Sequence, residues 1–203
     1  PELAVEGLGN AGSYRIQQNY FKFHACCWYN HPVLDAVQSL RKMTGFEASQ
    51  VKQIWVVVPP QALTMANPEP DNMLSAKFSI PYAVAAAILQ GNTDISAFQP
   101  QRIAEPQVQA LARKVTIEAD TKMDLRRYDY PTARVTVSLK DGQSLHEEVV
   151  AHWGDFNNPA PAEDLENKFL ALSVETLGEA KARWVVDAVS RLDALDQIST
   201  LAA

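Results

Sequence analysis

The chain has 203 residues, 47% hydrophobic and 21% charged, enough apolar material for one substantial core with a smaller appendage. Eighteen basic against 24 acidic residues leave a net charge of −6 with no basic run, which argues against nucleic acid and anionic membrane surfaces as partners. No apolar stretch reaches transmembrane length, no signal-peptide pattern opens the sequence, and the only cysteines are adjacent, so a cytoplasmic setting is the expectation.

In chain order, residues 14–23 read as a strand. They run into Phe21-Lys22-Phe23-His24-Ala25-Cys26-Cys27-Trp28-Tyr29-Asn30-His31, which holds both cysteines and two of the four histidines. A helix over 31–44 follows, from the apolar spacing of Val33, Leu34, Val37 and Leu40 and from Pro32 in a first turn. A helix N-terminus beside Lys22 and His31 suits an anion and favours the thiolate of Cys26 or Cys27. The alternative is that the two cysteines are small core residues, His31 caps its helix and Lys22 is solvated.

A strand is predicted over 51–58 and a helix over 76–90, the latter with Ser79 as N-cap, Pro81 in the first turn and Gly91 past the end. Its uniformly apolar sequence implies burial, with Tyr82 either at a pocket rim as a proton donor or packed with its hydroxyl satisfied. A helix over 105–114 and a strand over 115–120 come next. Strands 133–139 and 144–151 pair through Asp141-Gly142. Helices over 163–177 and 179–195 follow the proline-rich break at 157–161. The order implies an α+β fold: a two-layer sandwich of helices on a mostly antiparallel sheet, with a C-terminal helical pair. Arg126 and Arg127 either grip a substrate carboxylate or belong to a solvated turn. The 67–72 loop carries no chemistry of its own, and there is neither a phosphate loop nor a serine elbow.

Lys22, Cys26-Cys27, His31-Pro32 and Asp35-Ala36, then Phe78-Ser79-Ile80-Pro81-Tyr82-Ala83-Val84-Ala85 and Gly91, stand in an order that resembles the C-terminal half of the MmgE/PrpD family. Arg134-Val135-Thr136-Val137 before Asp141-Gly142, and Gly154 and Asn158-Pro159 before Lys168-Phe169, extend the resemblance over about residues 7–169. It implies a cofactor-independent enzyme acting on a small di- or tricarboxylic acid by acid–base chemistry, as a 2-methylcitrate dehydratase-like lyase or an epimerase. It further implies an α+β lid domain over 1–160 and C-terminal helices over 161–203 that pack on an N-terminal helical domain this sequence lacks. Pro1 opens the sequence, so the expectation is an excised domain or a chain that lost its first half, inactive alone. Without its partner, the helical pair is expected either to fold back on the sheet or to self-associate as a homodimer.

By resemblance, Lys22, His31 and Tyr82 are the catalytic candidates, and Cys26, Cys27 and Ser79 bind substrate. Cys27 stands where the decarboxylase branch has a catalytic histidine, which disfavours decarboxylation, and His24 replaces a proline common in the family. Two other readings compete: a noncatalytic interaction domain that keeps the lid fold, and a zinc module using His24, Cys26, Cys27 and His31.

Overall fold

Apolar residues three and four apart make two helices the centre of the fold. In the computed structural model, which describes residues 14–194, 197 and 199, α1 (His31–Thr44) buries Val33, Leu34, Val37 and Leu40. It ends at Gly45, whose φ of 68° turns the chain out of the helix. Strand β1 (Val51–Val58) follows. The predicted helix over 76–90 is instead two: a short α2 (Met73–Lys77) and α3 (Ile80–Gln90). Ser79 causes the break, because its extended backbone and side-chain oxygen, accepting from Tyr82 N, start a new helix there. α3 is buried from Ile80 to Ile88, as its composition implies.

α4 (Pro100–Ile103) and α5 (Pro106–Ala112) lead into β2 (Val115–Ala119), and β3 (Ala133–Leu139) and β4 (Ser144–Val149) form the expected hairpin. The sheet order is β2-β1-β3-β4, with β1 parallel to β2 and the other two pairings antiparallel. In β3 the alternation is regular, with Ala133, Val135, Val137 and Leu139 buried. β1 buries Val51, then Ile54, Val56 and Val58; the three-residue step is absorbed by a register shift against β3 between Val51 and Gln53. α1 packs on α3 and over β3 and β4, while α3 packs on α5 and β2, so helices cover one sheet face and the fold is α+β.

Residues 14–23 do not form the predicted strand. They carry a 3-10 turn over Arg15–Gln18 and no ladder, and are fastened instead by Phe21 N donating to Gly154 O (2.9 Å) and by Tyr20 stacking on Trp28. A strand exists only by pairing, and none of the described sheet pairings includes this segment.

The chain divides into two compact units, the first ending at Pro159 and the second beginning at Ala160. The second holds α6 (Ala162–Leu177) and α7 (Glu179–Ser190), packed on each other across Gly178. Leu172, Trp184 and Val189 are exposed there. No helix among the described residues is long and apolar enough to cross a membrane.

Candidate functional site

Three hydrogen bonds hold the 22–31 segment from two places. Ala25 N donates to Thr93 O (2.8 Å) in the loop after α3, and Cys27 N donates to Lys77 O (3.0 Å) at the end of α2. Asn30 Nδ2 donates to the same Lys77 carbonyl (3.1 Å). The start of α1 and the approach to α3 therefore meet at Cys27, but the helix ends are not open. A 3-10 turn over Trp28–Asn30 runs straight into α1, using the N–H groups of Asn30 and His31. At α3 the Ser79 hydroxyl takes the Tyr82 N–H. An anion cradle of two free helix termini is thus not formed.

The predicted site residues divide by exposure. Lys22 is exposed, and its ammonium donates to Cys26 O (3.3 Å), which holds the charge against the Cys26–Cys27 peptide. Cys27 is half-buried. The other four are turned inward. Cys26 is buried, and burial, reinforced by Cys27, pushes its thiol up to about 12, which disfavours a thiolate at Cys26. Ser79 is fully buried, its hydroxyl donating to Asn67 O as well as capping α3. Tyr82 is also fully buried: its hydroxyl donates to Ala97 O (2.6 Å) and its ring lies 5.9 Å from that of Phe98. Burial pushes that phenol up to about 12. Tyr82 is thus packed with its hydroxyl satisfied, the second of the two alternatives its place in the helix left open. Tyr82→Phe should therefore lower stability in urea by about 1 kcal/mol, the cost of stranding the Ala97 carbonyl, with carboxylate affinity unchanged. Lost affinity at unchanged stability would return Tyr82 to the site.

His31 is fully buried, and neither of its ring nitrogens has a hydrogen-bond partner among the described residues. Its ring is held edge to face between His24 and His152, each 5.1 Å away, with Tyr20 at 6.5 Å. Burial drives its pKa down to about 2, and the neighbouring His24, His152 and Lys22 push the same way. Only the backbone of Cys26, near but outside hydrogen-bonding geometry, favours charge. His31 is a neutral ring, unable to donate as an imidazolium at neutral pH.

His152 was not singled out by the sequence. Nothing local marks it; it arrives from the loop after β4, where Trp28 Nε1 donates to its Nε2 (2.9 Å) and its Nδ1–H donates to Trp153 O (3.0 Å). Asp35 was noted only within a motif. One carboxylate oxygen accepts from His24 Nε2 (2.9 Å) and the other from Trp153 N (2.6 Å), so α1 is tied to both the 22–31 segment and the loop after β4.

Among the described residues no group of three or more His, Cys, Asp or Glu is placed to hold a metal ion. The zinc reading fails on geometry and chemistry: His24 is spent on Asp35 and Thr93, and Cys26 is a buried thiol. Arg126 and Arg127 pair locally with Asp124 and Asp129 on an exposed turn, the solvated alternative.

A family profile described as the MmgE/PrpD C-terminal domain matches residues 24–193. Cis-aconitate decarboxylase from Mus musculus is 28% identical over 177 residues, 84% of this chain and 36% of that protein. The Homo sapiens cis-aconitate decarboxylase is also 28% identical, over 176 residues. Cis-aconitate decarboxylase from Aspergillus terreus is 26% identical over 216 residues, 98% of this chain and 42% of that protein. The chain thus spans well under half the length of these curated relatives.

Proposed function

The chain belongs to the MmgE/PrpD family, in its C-terminal domain, and from that premise we propose that it supplies the cationic side of a carboxylate-binding site in an enzyme acting on a di- or tricarboxylic acid. The observation that carries the reading is Lys22: an exposed ammonium held at the Cys26–Cys27 peptide, with one hydrogen-bond partner among the described residues and so two N–H bonds to offer a ligand. Removing a proton beside a carboxylate builds negative charge on that group, and a fixed cation stabilises it. Cys27, half-buried, is the next residue after the carbonyl that accepts from Lys22. His31 and Tyr82 are assigned to packing, so the proton-transfer groups belong to the N-terminal helical domain that the family membership implies. Turnover by this chain alone is then negligible.

A dehydratase or epimerase is the favoured reaction, because Cys27 replaces an imidazole by a thiol that is a poorer proton shuttle at neutral pH. The relatives favour a second reading, decarboxylation of cis-aconitate. Assay of a protein carrying both domains, with 2-methylcitrate and cis-aconitate as substrates, separates the two. In it, Lys22→Ala should reduce kcat/KM by about a hundredfold or more. Unchanged kcat/KM in that variant would reduce this domain to a scaffold.

A further inference from the structure

His24 sits where the family resemblance would put a proline, and it is nearly inaccessible, at 4% exposure. Both ring nitrogens are engaged, and with two different elements. Nε2 meets Asp35 Oδ1 of α1 at 2.9 Å, and Nδ1 meets the Thr93 hydroxyl in the loop after α3. Ionised Asp35 only accepts, so it takes the Nε2–H, and the bare Nδ1 accepts the Thr93 O–H. Thr93 holds the segment a second time, since its carbonyl accepts Ala25 N–H. Asp35 in turn is fixed by Trp153 N on its other oxygen.

We propose that Asp35 and Thr93, acting through the His24 imidazole, are positioning residues that set the placement of Lys22 and Cys27. The imidazole does with two directed hydrogen bonds what a proline does by restricting φ: it removes freedom from the segment that approaches α1. Lys22 and Cys27 lie two and three residues from this clamp, so a shift in the ring moves the ammonium and the thiol together. The placement is independent of what binds; its consequence for carboxylate affinity rests on the function proposed above.

Thr93→Val tests it on the intact chain, since valine keeps the shape and removes only the hydroxyl, and Thr93→Ser restores it. Two readouts are followed by NMR: the amide positions and hydrogen exchange of residues 22–27, and citrate affinity at the same amides. The expected result is that Thr93→Val shifts the Lys22 and Cys27 amides, speeds Ala25 exchange and weakens citrate about tenfold, while Thr93→Ser recovers both. Asp35→Asn should act in the same direction, and its effect should not add to that of Thr93→Val, because both work through one ring. Amides of 22–27 unmoved in Thr93→Val, with the fold intact, would overturn the proposal. Wild-type chain that ignores citrate, combined with moved amides in Thr93→Val, would leave the clamp standing and remove the carboxylate reading instead.

Discussion

Lowering the pH below about 6.5 should destabilise the first unit steeply, with His31 responsible for much of the slope. In the folded state burial among His24, His152 and Tyr20 holds this ring neutral with a pKa of about 2, against an ordinary 6.5. The unfolded chain therefore binds a proton that the folded chain refuses across this interval, so the stability is whole above pH 6.5 and is lost as the pH falls towards 2. The slope from this one group is about 1.4 kcal/mol per pH unit. Carboxylates take up protons mainly below about pH 4.5, so the window between there and 6.5 leaves most of their contribution out, and a variant assigns the share of His31. His31→Phe keeps an aromatic ring in the cluster and removes the titration, and should flatten the acid limb of a urea-midpoint curve in that window. Parallel limbs for the two proteins would mean that His31 charges without consequence.

Gly154→Ala should cost about 3 kcal/mol or more and loosen the whole 20–31 segment. Gly154 has a φ of 87°, and a Cβ there would lie 2.7 Å from Phe21 O and 2.8 Å from the Phe23 ring. The backbone must approach this closely because Phe21 N donates to Gly154 O, the tie that brings the loop after β4, with His152, onto Trp28 and His31. Gly142, in the β3–β4 turn, provides the control: its φ of 94° is equally unfavourable to alanine, but nothing lies within 4 Å of a Cβ there. Gly142→Ala should cost only the backbone share, about 1 kcal/mol. Equal losses in the two variants would show that the close approach at Gly154 adds nothing.

What could be read in the sequence was what is encoded locally. α1 follows from Val33, Leu34, Val37 and Leu40, α3 from an alanine-rich run between Ser79 and Gly91, and the hairpin from Asp141-Gly142. The strand expected over 14–23 failed because a strand exists only by pairing, and the sheet is completed by other segments. Burial of the Tyr82 hydroxyl against Ala97 was equally illegible, since a first-turn tyrosine looks the same in sequence at a rim or in a core. In the candidate site, the cluster of Lys22 to His31 was visible as a run of reactive residue types. Its organisation was not: His24 meets Thr93 69 positions away, and Trp28 meets His152 124 positions away. Such partners carry no periodic signal, only the geometry of the completed fold.

Under the proposed function, Lys22 and the Cys26–Cys27 peptide form one side of a carboxylate site. An NMR titration of the chain with citrate, 2-methylcitrate and cis-aconitate tests it most directly. Saturable shifts confined to the amides around Lys22 to Cys27 are expected, lost in Lys22→Ala, with the Tyr82 amide and the α6–α7 unit unmoved. Saturable shifts that persist in Lys22→Ala, or a wild-type chain that stays folded and ignores all three acids, would contradict it.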